Sequence, residues 1–278
     1  MAYHSFLEAI GNTPAVELRA LNPVAGTYIY GKLEFYNPTG SLKDRIVKFM
    51  VERAEERGEL RPGMTIVEAT SGNTGIALAA VAAYRGYRAL IVMAENMSVE
   101  RRRIMQAFGA QLVLTPAAEG PDRAIAEAEE IAQSPDHYLL GQFTNEDNVL
   151  AHYETTARAI LEQVPELDTF VAGMGTGGTV TGVARRLKEV SSAIKVVGIE
   201  VSAGSRIQGL KCFDGYVPPV VDFQNNVVHD TEIFVNETDL FDRPYGQRYG
   251  KLCWLFLEPV LALERAWRDE RVHVRKVN

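Results

Sequence analysis

From residue 65 onward, short apolar runs alternate with stretches of helical spacing. Thr65-Ile66-Val67-Glu68 predicts a strand, and Gly75 to Tyr84 an Ala-rich helix. Ala89 to Met93 predicts a strand and Val99 to Phe108 a helix. Gln111 to Leu114 and Asp122 to Gln133 repeat the pair. So do Tyr138 to Leu140 with Ala151 to Val164, and Thr169 to Ala172 with Thr179 to Glu189. Lys195 to Val201 predicts one more strand. Upstream, Tyr28-Ile29-Tyr30 predicts a strand, and Asp44 to Arg57 a helix ended by Gly58 and Pro62-Gly63. This alternation predicts an α/β fold, with mostly parallel sheets flanked by helices on both faces.

Composition narrows the function classes. The 278 residues are 46% hydrophobic and 23% charged, ordinary for a globular chain with a large core. The formal net charge is −7 and no basic block stands out, which argues against a nucleic-acid partner. No run of about 18 apolar residues predicts a membrane span. Met1 to Phe6 lacks the basic and apolar regions of a signal peptide, so a cytoplasmic protein is expected. Cys212 and Cys253 make neither a disulfide framework nor a metal cluster. The five histidines show no metal-ligand spacing, so no metal is expected.

Chemistry is expected in loops at the carboxyl ends of the strands. In Asn37-Pro38-Thr39-Gly40-Ser41-Leu42-Lys43-Asp44-Arg45, a Pro/Gly turn precedes a Lys at the start of an apolar helix. Ser41 is placed to cap that helix. A Lys in such a corner can lose solvation and act as a Schiff-base or general-base amine, although most lysines are simply solvated. Glu68-Ala69-Thr70-Ser71-Gly72-Asn73-Thr74-Gly75 offers hydroxyls, an amide and glycines at a helix N-terminus, an anion site or a generously capped helix. Gly173-Met174-Gly175-Thr176-Gly177-Gly178-Thr179 suits a phosphate. It also imitates a dinucleotide fingerprint, because Glu200 ends the next strand where a ribose-binding acid would sit. In a third loop, Gln142 is either a carboxylate donor or an ordinary polar loop residue. An amine, a phosphate cradle and a carboxylate site together suggest pyridoxal phosphate acting on an amino acid.

Ile10-Gly11-Asn12-Thr13-Pro14, Asn37 to Arg45, Glu68 to Gly75 and Gly175 to Thr179 resemble, in order and spacing, the cysteine synthase (O-acetylserine sulfhydrylase) family. The resemblance covers roughly residues 5 to 235. Gly204 to Leu210 and Gly141-Gln142-Phe143 are most similar to the B-type isozymes. The resemblance implies a fold-type II pyridoxal phosphate enzyme, tryptophan synthase β-like, with two domains. Residues 43–148 would form a small mobile substrate domain that closes on carboxylate capture. Residues 1–42 and 149–278 would form the large cofactor domain. The resemblance further implies that Lys43 binds the aldehyde and later moves the α-proton, and that Asn73 bonds the pyridoxal 3′-oxygen. Gly175, Thr176, Gly177, Gly178 and Thr179 would hold the phosphate. Thr70, Ser71, Gly72, Thr74 and Gln142 would bind the substrate carboxylate. The implied reaction replaces the acetate of O-acetyl-L-serine with sulfide or thiosulfate to give L-cysteine. Cystathionine β-synthase and O-phosphoserine sulfhydrylase share the pattern, and the implied assembly is a homodimer. A nicotinamide-dependent oxidoreductase would leave Lys43 and the Thr70 loop without a role.

The chain departs from the family in two places. Near the sulfur entrance the B-type isozymes carry two arginines and an aromatic, where this chain has Lys211-Cys212-Phe213. One charge is kept. Cys212 is either part of the sulfur site or a small apolar filler. In the tail, Phe256 and Leu257 fall where the family has serines, one of which accepts the cofactor's pyridine nitrogen. Glu258 and Pro259 replace Gly-Ala, Pro244 and Gly246 interrupt an expected helix, and the family's last elements are missing. Divergence is one explanation, and it raises the prospect of a catalytically impaired, cofactor-binding or regulatory relative. A shifted reading frame is the other. Read one base forward, codons for Asp242 to Gly246 can encode Thr-Ala-Arg-Met-Ala. Read one base back, codons for Leu257 to Pro259 can encode Ser-Gly-Ala. The nucleotide sequence of related strains decides: an intact gene with this same tail sinks the frameshift.

Overall fold

The computed structural model describes residues 2–22, 26–201 and 209–213, and the backbone alone of 229–235 and 274–275. Residues 204–208 of the Gly204 to Leu210 stretch lie outside the described residues, as do 242–246, 255–259 and Cys253. The chain forms two compact units. One takes in residues 1–12 and 35–151, the other residues 13–34 and 152–278. The first therefore contains residues 43–148 together with 1–12 and 35–42 upstream and 149–151 downstream.

The first unit contains α1 (Phe6–Ala9) and α2 (Lys43–Glu56), then alternates strand and helix. These are β3 (Thr65–Ala69), α3 (Asn73–Arg85), β4 (Arg88–Ala94), α4 (Val99–Ala107), β5 (Gln111–Thr115), α5 (Gly120–Ile131), β6 (His137–Leu139) and α6 (Asp147–Ala151). In the second unit, β1 (Ala15–Glu17) and β2 (Tyr30–Lys32) form a small antiparallel pair. The strands of the first unit form one parallel sheet in the order β5-β4-β3-β6. Successive side chains leave a strand on opposite faces. Ile66, Ile91 and Met93 accordingly join Ile46, Met50 and Leu78 of α2 and α3, while Val67, Ala69 and Val92 meet Ala124 and Ala128 of α5.

The small side chains of α3 let it be buried nearly all round: Ala77, Leu78, Ala79, Val81 and Ala82 are at most 1% exposed. Arg85, the last residue of α3, pairs with Glu52 at 2.7 Å and Glu55 at 3.2 Å in the last turns of α2. The two helices are of nearly equal length, 14 and 13 residues. With their C-terminal ends joined they run parallel, so Lys43 and Asn73, their first residues, lie at the same end.

The second unit continues with α7 (Ala157–Gln163), β7 (Thr169–Gly173), α8 (Gly178–Val190) and β8 (Lys195–Val201). Strands β9 (His229–Val235) and β10 (Val274–Arg275) complete a sheet in the order β10-β9-β8-β7, parallel except for β10. Val180 and Ala184 of α8 pack with Ala172 of β7, Val196 of β8 and Phe213.

The predicted strands and helices fall within about two residues of the observed bounds, with one structural exception, while α1, β1, β9 and β10 have no predicted counterpart. The single helix expected over Ala151 to Val164 is built as α6, a π-helical turn at His152–Thr156, and α7. The buried His152 ring meets the Thr156 hydroxyl across that turn at 2.9 Å. Such turns are frequent at functional sites. No helix among the described residues is long and apolar enough to cross a membrane.

Leu78, fully buried on α3, supports the α2–α3 packing. Leu78→Ala should cost about 2–5 kcal/mol, against about 0.5 kcal/mol or less for Leu114→Ala on the exposed face of β5. Urea midpoints measure both, and equal midpoints would contradict this packing.

Candidate active site

The first unit carries the Lys43 corner. Gly40 sits at φ +85°, a left-handed conformation that glycine adopts without a Cβ penalty. Its N–H bonds the Asn37 carbonyl at 2.8 Å. Asn37 in turn accepts the Gly11 N–H at 2.8 Å, and the Arg45 guanidinium donates to the Gly11 carbonyl at 2.8 Å. On the other side, the Thr39 N–H donates to Asp44 at 2.7 Å. The Gly11-Asn12 turn and the Asn37 turn thus brace one another. Ser41 Oγ accepts the Lys43 N–H at 3.2 Å, which satisfies one donor of α2. The residue at the N-cap position is Leu42, which supplies no side-chain cap.

Lys43 is partly buried, and no side chain among the described residues hydrogen-bonds or pairs with its amine. Burial, with no carboxylate to offset it, pulls its pKa down to about 8. A solvated surface lysine would keep its ordinary value.

At the same end of this unit, β3 runs into α3 through Thr70, Ser71 and Gly72. Gly72 precedes α3 and gives it no side-chain cap. Helix geometry leaves the N–H groups of Asn73 and Thr74 without intrahelical partners, and the dipole adds a positive field there. Thr70, Ser71, Gly72 and Asn73 are all partly exposed, so a ligand can reach them. The loop is braced from outside: Arg101 donates to the Ser71 carbonyl at 3.3 Å, and the Gly72 N–H meets Thr70 Oγ1 at 3.3 Å. A Cβ at Gly75 would lie 2.7 Å from the Met105 methyl and 3.0 Å from Thr70 Cγ2, so both side chains would have to give way.

Thr74 and Gln142 are placed differently from the rest of the loop. Both are buried, and the Thr74 hydroxyl donates to Gln142 Oε1 at 2.7 Å. Gln142 Nε2 faces Glu68 Oε1 at 3.3 Å, and the Gln142 carbonyl accepts from Asn148 Nδ2 at 2.7 Å. The Gln142 amide is therefore engaged inside the protein rather than held open. Glu68, which received no role from the sequence, is the buried end of this chain. Burial first, opposed by hydrogen bonds from Gln142, Gly141 and Ala69, raises its pKa to about 7. Its only sequence signal was a charge inside an otherwise apolar strand.

The second unit carries the glycine loop. Gly175 has no room for a side chain, because a Cβ would collide with the Gly209 carbonyl. Gly177 sits at φ +85° and precedes α8, again with no side-chain cap. The buried Thr176 hydroxyl accepts the Gly178 N–H at 3.4 Å. Thr179 in the first turn is held by His152, whose Nε2 lies 3.1 Å from its hydroxyl. His152 is a second residue that sequence reasoning missed, since a lone buried histidine gives no pattern. α8, 13 residues long and without a side-chain cap from Gly177, turns a positive N-terminal field toward a close-packed glycine turn, an arrangement that suits an anion.

Glu200 does not serve the dinucleotide alternative. It is 2% exposed and its carboxylate accepts the Phe213 N–H, so it is committed to the core. The Lys211 N–H bonds the Met174 carbonyl at 2.9 Å, which ties the 209–213 segment to the glycine loop. Cys212 is partly buried and forms no disulfide among the described residues.

The pyridoxal-phosphate dependent enzyme family matches residues 6–222. A cysteine synthase from a Flavobacterium species is 47% identical over 234 residues, 80% of this chain and 75% of that protein. Cysteine synthase B of Escherichia coli is 46% identical over 249 residues, 88% and 82% of the two chains. Among solved structures, a hydrogen sulfide-producing enzyme of Fusobacterium nucleatum superposes with a TM-score of 0.85 at 34% identity, covering 96% of this chain and 92% of that one. The family match over residues 6–222 and these identities along most of the length show it: the chain belongs to the cysteine synthase family of pyridoxal-phosphate dependent enzymes.

Proposed function

We propose that this chain makes L-cysteine from O-acetyl-L-serine and a sulfur donor, sulfide or thiosulfate, by β-replacement. The observation that carries the reading is the Lys43 amine, without a partner among the described residues and with its pKa lowered to about 8, heading a helix beside α3, whose N-cap Gly72 supplies no side chain. The residues fit pyridoxal phosphate. Lys43 would hold its aldehyde carbon, Asn73 its 3′-oxygen, and Gly175, Thr176, Gly177, Gly178 and Thr179 its phosphate. When bound, the cofactor supplies an electron sink for charge developing at the substrate α-carbon.

The chain's own residues supply the rest. Thr70, Ser71, Gly72 and the N–H groups opening α3 bind the substrate carboxylate, with Thr74 and Gln142 behind them. The neutral Lys43 amine takes the α-proton as acetate leaves, and returns it after sulfur has added to the β-carbon. A lysine at its ordinary pKa of about 10.4 would be almost wholly protonated at neutral pH and unable to do this. Lys211 is assigned to the sulfur entrance, where its charge attracts an anionic donor. The protein is further proposed to be a cytoplasmic homodimer.

A second reading is kept because Leu255, Phe256 and Leu257 are apolar where the family presents a nitrogen-binding serine. A protein that binds the cofactor but turns over poorly fits that substitution.

Spectra of purified protein supplied with pyridoxal phosphate test both readings. A violet-edge band that shifts on adding O-acetyl-L-serine supports the synthase, whereas a band without a shift supports the impaired relative. Lys43→Ala should abolish the band, and a covalent cofactor retained in that variant refutes the Lys43 assignment. The rate of cofactor loading should rise about tenfold per pH unit below pH 8 and level off above it, following the neutral fraction of the amine. A rate still climbing at pH 10 contradicts the lowered pKa. Gly175→Ala pushes a methyl into the Gly209 carbonyl. It should weaken cofactor retention at least tenfold, about 1.4 kcal/mol, in equilibrium dialysis. Unchanged retention removes this loop as the phosphate site.

A further inference from the structure

Glu68 is a carboxyl buried in a sheet core without a cation, which is rare. It is 2% exposed and makes no ion pair among the described residues. One oxygen, Oε2, accepts the backbone N–H of Gln142 at 3.2 Å. The other, Oε1, faces Gln142 Nε2 at 3.3 Å. At the far side of that amide, Gln142 Oε1 accepts the Thr74 hydroxyl at 2.7 Å. Carboxyl, carboxamide and hydroxyl thus form one continuous chain from the core to the first turn of α3.

The polarity of the chain follows from Glu68. An ionised carboxylate only accepts. Gln142 must then present its N–H to Glu68 and its oxygen to Thr74, and Thr74 must donate inward. A hydroxyl proton given to Gln142 cannot be given to a substrate. With a proton on Glu68 Oε1 every link reverses. The carboxyl donates to the amide oxygen, the amide turns by half a rotation, its N–H donates to Thr74 Oγ1, and the Thr74 proton is released for a ligand. The turned amide loses the 3.5 Å contact of Nε2 with the Ala69 carbonyl, which favours the unreversed chain until the proton arrives.

We propose that Glu68 is a positioning residue for the substrate carboxylate, acting through Gln142 to decide whether the Thr74 hydroxyl offers its proton to the substrate. The proposal rests on the reading of the Thr70 to Thr74 loop as the carboxylate site. Burial places the Glu68 pKa near 7, where both chain polarities are within reach at physiological pH.

Among the described residues, burial and hydrogen bonds from Gln142, Gly141 and Ala69 set the state of Glu68, with no titratable side chain among those causes. Along β3 it pairs with Ile91, while Arg88 of β4 and His137 and Tyr138 of β6 pair with Thr65 and Ile66 at the other end of the strand. α3 has no titratable residue before Tyr84. On α2, Asp44 bonds Thr39 and Arg45 bonds Gly11, while Lys43 is shifted by burial alone. Asp147 of α6 pairs with Arg57, and Arg101 of α4 bonds Ser71.

Serine binding to the cofactor-loaded protein, read as a spectral shift, tests this in wild type, Glu68→Gln and Thr74→Val. The Glu68→Gln amide donates as the protonated acid does, so it fixes the substrate-ready polarity. The ratio of wild-type to Glu68→Gln dissociation constants should therefore rise about tenfold between pH 6 and pH 8. Taking the ratio cancels the titration of the serine amine. Thr74→Val should bind weakly at every pH. Wild-type affinity in Thr74→Val would overturn the carboxylate-site reading itself. Weak binding there, with a ratio that stays flat with pH, would overturn the Glu68 proposal alone. A second measurement holds if Glu68→Gln fails to fold. In wild type labelled with 13C at glutamate carboxyls, saturating serine should raise the midpoint of the resonance that titrates near pH 7, by reciprocity. A midpoint that does not move overturns the proposal.

Discussion

The side-by-side pairing of α2 and α3 is the constraint on which the first unit depends. Arg85 joins the last turns of both helices through Glu52 and Glu55, and the apolar stripe of Ile46, Met50 and Leu78 joins their middles. Two helices of nearly equal length joined at one end are aligned at the other. That alignment sets the Lys43 amine and the Thr70 to Thr74 loop at the same end of the unit. The ion pairs are partly exposed and contribute modestly. The buried apolar contacts supply most of the stabilisation, and the ion pairs fix direction.

Helices α3 and α8 both forgo a side-chain cap from their N-cap residue. α3 follows Gly72 and α8 follows Gly177, and neither glycine supplies a hydroxyl or carboxylate. An ordinary cap would add roughly 0.5–2 kcal/mol. Apart from the Gly178 N–H, which the Thr176 hydroxyl accepts, forgoing a cap gives up that stabilisation and keeps a positive field available to an anion. Lys43 follows the same logic: a nearby carboxylate would stabilise its ammonium and remove the neutral amine that the proposed chemistry requires. Sites of this kind break local rules of stability, and the surrounding packing compensates.

Much of this was legible in the sequence. The alternation of short apolar runs with helical spacing gave the parallel sheets, because burial on both faces demands continuous apolar strands. The Lys43 turn and both glycine loops were readable because glycine, proline and hydroxyl residues have local conformational requirements. The π-turn at His152 was not readable, since it depends on a ring meeting Thr156 and Thr179 from separate elements. The engagement of Gln142 with Thr74 and Glu68 was hidden for the same reason: these residues are 68 and 74 positions away in the chain. Glu200 matches the spacing of a dinucleotide fingerprint without its role, because a fingerprint records spacing and not which way a carboxylate is buried.

Borohydride reduction of the cofactor-loaded protein, followed by proteolysis and mass spectrometry, tests the central claim most directly. Reduction converts a lysine–aldehyde linkage into a stable pyridoxyl-lysine at the residue that held it. The peptide containing Lys43 should carry the label and the other lysine peptides should not. A label on any other lysine, with the Lys43 peptide unmodified, would contradict the account.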